Sequence, residues 1–118
     1  MGKIKEDCIF CKIANKKEET NFFEESENFV CFADANPKVD GHLLVVPKNH
    51  YRNLLDLPSD LGGEMIELAK KVARKKLDQG AEGFNVAMNN FEAAGQVVKH
   101  CHLHLLPRKK EDDFNFGI

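Results

Sequence analysis

The sequence predicts an α+β fold, a mainly antiparallel sheet with one main helix. Three observations carry this. Several short apolar, β-rich runs are punctuated by Gly, Pro, Asn and Asp. One segment, with Leu61, Met65, Leu68 and Val72, repeats apolar residues at helical steps. The length, 118 residues, suits one ordinary domain, expected to span residues 1–118 without repeat or linker.

The elements follow in order. Residues 22–25 and 29–32 read as a hairpin turned at Ser26-Glu27-Asn28. Residues 42–46 form an apolar run that Pro47 should end. Pro58-Ser59-Asp60 suits a helix start, and Gly80 suits its stop. Gly62 and Gly63 weaken the first turn by about 1 kcal/mol each relative to Ala. Phe84, Val86 and Met88 alternate with Asn85, Ala87 and Asn89, predicting a strand with one apolar face. Residues 97–106 read as the last strand, stopped by Pro107.

Composition excludes some functions. Lys+Arg 17 against Asp+Glu 19 gives a net charge of −2, without the basic excess of a dedicated nucleic-acid binder. The longest apolar runs, about six residues, are too short to span a membrane. The first dozen or so residues carry no apolar signal-peptide run. A cytoplasmic location is therefore expected, with the four cysteines as metal ligands or core residues rather than disulfides. Cys31 and Cys101 read as core.

The most informative segment is His100-Cys101-His102-Leu103-His104-Leu105-Leu106. Side chains alternate along a strand, so the three histidines line one face, about 6.6–6.8 Å apart. Cys101, Leu103 and Leu105 point the other way. Such a row suits a metal site, or nucleophilic and acid–base chemistry by imidazole near neutral pH. Cys8-x-x-Cys11 alone is compatible with zinc or with redox chemistry.

The row resembles the His-φ-His-φ-His-φ-φ motif (φ apolar) of the histidine triad (HIT) superfamily. The resemblance extends to Cys8-Ile9-Phe10-Cys11-Lys12-Ile13, as in the zinc-containing, Hint-like branch. It continues through Phe32-Ala33-Asp34 and Gly41-His42 to Pro47-Lys48-Asn49-His50, then Phe84-Asn85, Asn89-Asn90 and Ala94-Gly95-Gln96.

The resemblance implies a HIT-like fold of about five strands, one main helix and a short N-terminal helix, dimerising into a homodimer. It implies hydrolysis or transfer at the α-phosphate of adenosine or other purine nucleoside phosphoramidates. Dinucleoside polyphosphates are the alternative substrates, and a regulatory nucleotide-binding protein the alternative role. By the same resemblance His102 is the nucleophile, His104 the general acid and His42 a supporting member. Asp34 would hold the ribose, Asn89, Gly95 and Gln96 the phosphate, and Ile9, Phe10, Ile13 and Phe32 the base. Cys8, Cys11, His50 and His100 would bind one structural zinc per chain, with no catalytic metal required.

Four features depart from the family pattern. Val97 stands where Ser or Thr is usual, and Phe91 where Gly follows Asn-Asn. Glu18-Glu19 replace Ile-Pro, and the C-terminal tail lacks Trp.

Overall fold

A computed structural model describes residues 3–16 and 20–116. The elements are α1 (Ile9–Ala14), β1 (Phe22–Glu25), β2 (Phe29–Ala33), β3 (Leu43–Pro47), α2 (Ser59–Asp78), β4 (Gly83–Ala87), a 3₁₀ turn (Glu92–Ala94) and β5 (Leu103–Arg108). The five strands form one antiparallel sheet in the order β1-β2-β3-β5-β4. The α+β reading, the main helix and the short N-terminal helix all hold.

Period-two alternation sorts the side chains onto two faces. Phe29, Cys31, Leu43, Val45, Leu103 and Leu105 pack under α2, against Met65, Leu68, Ala69 and Val72. Each fully buried Val, Leu, Phe or Met side chain among them contributes about 1.5–3 kcal/mol. Val30, Phe32, Leu44 and Val46 take the opposite face and pack under α1, against Phe10, Cys11 and Ala14. The histidine row belongs to this second face, because His104 pairs with Leu44.

The β1–β2 turn is tied to α2 through one carboxylate. Glu64 accepts hydrogen bonds from Ser26 Oγ at 2.6 Å, Asn28 N at 2.7 Å and Asn28 Nδ2 at 2.9 Å. At its end α2 closes against Gly80, whose φ of +113° favours glycine.

Two sequence expectations change. The last strand begins at Leu103, not at residue 97, and runs through Pro107 to Arg108. Before it, the chain bonds to the segment after β3 instead of a strand ladder: Cys101 N–H donates to Tyr51 O at 2.6 Å. Pro107 is accommodated because pairing with β3 has ended at Leu105. The apolar face of β4 is also not core. Phe84 and Val86 are 44% and 47% exposed. They lie on the α2 face, but β4 is the sheet edge, and α2 packs over β1, β2, β3 and β5 instead. Met88, just past the strand, does reach the core. No helix among the described residues is long and apolar enough to cross a membrane.

Candidate active site and metal cluster

His100 and His102 sit just ahead of β5, and His104 lies within it. The three do not form a solvated row. His100 is fully buried, His102 is 6% exposed and His42 is 2% exposed. Phe10 of α1 covers them, its ring edge-on to His102 at 5.0 Å and to His100 at 5.9 Å. The His102 and His104 rings are 4.9 Å apart, and those of His42 and His104 are 5.1 Å apart.

Backbone groups set the tautomers. A carbonyl oxygen only accepts, so an imidazole nitrogen facing one must carry the proton. His102 Nδ1 lies 2.6 Å from His100 O, so Nδ1–H donates and Nε2 keeps a lone pair. His100 Nε2 lies 2.8 Å from Pro47 O, so Nε2–H donates and Nδ1 keeps its lone pair. His42 is set the opposite way: Lys38 N–H donates to its Nδ1 at 3.0 Å. His42 therefore carries its proton on Nε2, which faces His104 Nδ1 at 2.9 Å. His104 accepts at Nδ1 and keeps its own proton on Nε2.

Burial favours neutral imidazole at each position. It pushes His104 down to about 4, helped by His102 and His42. It lowers His102 against the opposing pull of the His100 carbonyl and Asp34. It also lowers His42, against the opposing charge of Asp34. The result is a neutral His102 with an unprotonated Nε2, beside a neutral His104 with a protonated one. His102 Nε2 can attack an electrophile, and the His104 Nε2–H can hydrogen-bond the leaving group, becoming a proton donor once the ring is protonated.

Cys8, Cys11, His50 and His100 converge at the far end of the row, with all four donor atoms within 4.8 Å of one another. Cys8 Sγ is 3.3 Å from His100 Nδ1, and Cys11 Sγ is 3.4 Å from His50 Nδ1. Ligands around a tetrahedral zinc have S···N edges of roughly 3.6 Å, from bond lengths near 2.3 and 2.05 Å. The donor chemistry fits as well. The Pro47 carbonyl leaves His100 Nδ1 unprotonated toward the sulfurs, the tautomer a ligand needs. Cys8 also caps α1, its Sγ accepting the Cys11 N–H, and Cys11 Sγ accepts the Lys5 N–H at 3.3 Å. Without a cation, burial holds the Cys11 thiol up at about 11.

Asp34, His42 and His104 form a second close group. It suits a metal poorly. His42 Nδ1 is already an acceptor, so metal at Nε2 would require an imidazolate or loss of the Lys38 bond.

Asp34 follows β2 on the triad face. Its Oδ2 is 3.4 Å from His42 Nε2, and its Oδ1 accepts the Asn36 N–H at 2.9 Å. Ala87, the last residue of β4, pairs with His104, and Asn89 follows two residues later. Asn89 makes no side-chain hydrogen bond among the described residues, and it packs over Gly95, where a Cβ would come within 3.5 Å of Asn89 Nδ2. Gln96 differs. Its Nε2 donates to Arg52 O and Val98 O, and its Oε1 accepts the Phe91 N–H. Its amide is spent on framing the loop.

Phe10 and Phe32 are buried together, edge to face at 5.7 Å, while Ile9 is 45% exposed. Ile13, Phe22 and Val98 lie partly buried around the same cluster. Phe22 and Val98, like the Lys38 N–H and Pro47 O, escaped the sequence reading. Only tertiary proximity identifies them. Val97 is 88% exposed, and Glu18-Glu19 lie outside the described residues. A cleft of ≈ 650 Å³ between Gly41, Lys76, Pro107 and Lys109 lies on the α2 side and holds none of the histidines.

A family model for the HIT domain matches residues 15–111. An uncharacterized HIT-like protein of Methanocaldococcus jannaschii is 40% identical over 105 residues, covering 89% of this chain and 81% of that protein. An adenosine 5′-monophosphoramidase of Candida albicans is 37% identical over 109 residues, covering 88% and 72%. The solved structure of a zinc-bound histidine triad family protein from Mycobacterium smegmatis superposes with a TM-score of 0.88 at 36% identity, covering 93% of this chain and 81% of that one.

Proposed function

The chain belongs to the HIT family, and on that premise we propose that it is a nucleotide hydrolase that cleaves purine nucleoside phosphoramidates. The observation that carries this reading is the tautomer pair, His102 with a free Nε2 and His104 with an Nε2 proton. The monophosphoramidase relative supports the substrate class.

In this mechanism His102 Nε2 attacks the α-phosphorus. A phosphorus–Nε2 bond forms as the phosphorus–nitrogen bond to the amine breaks. The bound anionic phosphate favours protonated His104; this imidazolium gives its Nε2 proton to the departing amine and returns to the neutral form. Water then attacks the nucleotidyl-imidazole, losing a proton to His104 and releasing nucleoside monophosphate and His102. Asp34 holds the ribose hydroxyls. Asn89 meets the phosphate with its free amide, over Gly95, while Gln96 holds the loop in shape. Ile9, Phe10, Ile13 and Phe32 flank the base.

The Cys₂His₂ cluster would hold one structural zinc, fastening α1 and the Phe10 that covers His102. The zinc-bound relative supports this choice of ion. Bound zinc would neutralise and cross-link the four donors. A homodimer is part of the same reading, joined at β4, whose free edge carries exposed Phe84 and Val86.

The test is steady-state kinetics on adenosine and guanosine phosphoramidates and on dinucleoside polyphosphates. Turnover of the phosphoramidates is expected, with an imidazole adduct on the enzyme. No turnover of any phosphoramidate would overturn the reading.

A further inference from the structure

Helix α1 and its N-cap interleave two sets of residues. Cys8 and Cys11 belong to the donor cluster. Ile9, Phe10 and Ile13 are proposed to flank the base. Cys8 is the N-cap of α1 and Cys11 lies in its first turn, so Ile9 and Phe10 sit between the two thiols. Half of the donor set and one wall of the base site therefore share a single helical turn.

A helix of 6 residues is too short to hold its shape alone, so its attachments decide where it sits. Its two ends are attached differently. At the C-terminal end, Asn15 Nδ2 donates to Lys48 O at 2.8 Å, a firm amide bond to the segment after β3. At the N-terminal end, the side-chain ties run through sulfur. Cys8 Sγ lies 3.3 Å from His100 Nδ1, and Cys11 Sγ lies 3.4 Å from His50 Nδ1. Sulfur is a weak hydrogen-bonding partner, so without a metal this end is the looser one. It is also the end that carries Phe10, whose ring meets Phe32 at 5.7 Å and His102 at 5.0 Å. The residues proposed for ribose and phosphate stand elsewhere. Asp34 follows β2, and Asn89 and Gly95 lie between β4 and β5. Among the described residues, none of these bonds to α1.

We propose that Cys8 and Cys11 are positioning residues for base recognition: a metal held by the cluster fixes the N-terminal end of α1, and with it Ile9 and Phe10, against the base. Affinity for the base thus depends on metal content. Affinity for ribose and phosphate does not, because the residues that hold them are attached independently of α1. This rests on the base contacts and the metal cluster proposed above.

The test reads binding, not turnover. AMP and ribose 5-phosphate, which lacks the base, are titrated by ³¹P NMR into zinc-loaded wild type, chelated wild type and Cys11→Ser, with zinc content measured in each. AMP affinity should fall about tenfold on metal removal and in Cys11→Ser, the size expected when contacts to a base are lost. Ribose 5-phosphate affinity should stay unchanged in all three forms, which also reports that the rest of the site is folded. Zinc returned to the chelated wild type should restore AMP affinity. AMP affinity that ignores metal content overturns the inference and leaves the hydrolase reading standing. Equal losses for both ligands also overturn it, because the metal would then support the whole site rather than the base wall. Failure of zinc-loaded wild type to bind AMP overturns the inference and the nucleotide reading together.

Discussion

The Nδ1–H of His102 donates to the backbone carbonyl of His100 at 2.6 Å, across two residues of its own chain. The His100 ring is itself held by Pro47 O and faces the two cysteines. One short segment therefore carries a candidate metal donor at one residue and an oriented lone pair two residues later. The proposed metal site and the proposed nucleophile would share this stretch of backbone.

His102→Ala should cut phosphoramidate turnover by several powers of ten, as expected for a lost nucleophile. Nucleotide affinity and zinc content should change little. Rapid quench of the wild type, followed by mass spectrometry, should find the nucleotidyl adduct on the peptide containing His102. Near-normal turnover by His102→Ala would point to direct attack by water.

Acid should destabilise the fold through its neutral histidines. His42, His102 and His104 all lie below their ordinary 6.5, with burial as the first cause and His104 near 4. The unfolded chain takes up protons first as pH falls. The stabilisation is complete above about pH 6.5 and is lost on the way down to about 4. Melting temperatures should drop across that window, and His104→Gln should flatten the drop. A flat profile from pH 7 to 4 would contradict burial of neutral rings.

Zinc added to metal-free protein should release about two protons per ion, because both thiols must ionise to bind. The raised Cys11 thiol makes this proton release obligatory at neutral pH. Cys11→Ser should lower zinc content and thermal stability together. Elemental analysis and calorimetry in buffers of different ionisation enthalpy measure both effects. Zinc-free protein from zinc-replete expression would refute the site.

Phe91→Gly should stabilise the fold by about 1–3 kcal/mol. Phe91 has φ 72° and ψ 157°, a region that glycine alone occupies readily. The residue is 58% exposed, so little packing is lost. Loop position should persist, since Gln96 holds it by bonds to Phe91 backbone atoms. Chemical denaturation reads the change. A loss of stability would mean that the ring makes contacts worth more than the strain.

Val86→Lys should give a monomer by light scattering, with the fold intact by circular dichroism. Val86 is 47% exposed on the edge strand, where a charge opposes strand pairing. An unchanged dimer would place the interface elsewhere.

The sequence by itself determined the alternation of the strands, the helical stripe, the turn residues and the histidine row. These are local signals, set by periods of two and 3.6 and by backbone preferences at Gly and Pro. It also marked Cys8, Cys11, His50 and His100 through resemblance, although these residues are up to 92 positions apart. Tertiary structure alone decided what each histidine faces. Pro47 O, His100 O and Lys38 N–H select the tautomers. No periodicity announces them, because a backbone group has no residue identity to read. The same holds for β4. Phe84 and Val86 have the pattern of a core face, yet α2 packs over the other four strands and leaves the β4 edge uncovered. Whether an apolar face becomes core depends on what lies across from it, and that is a property of the packed molecule.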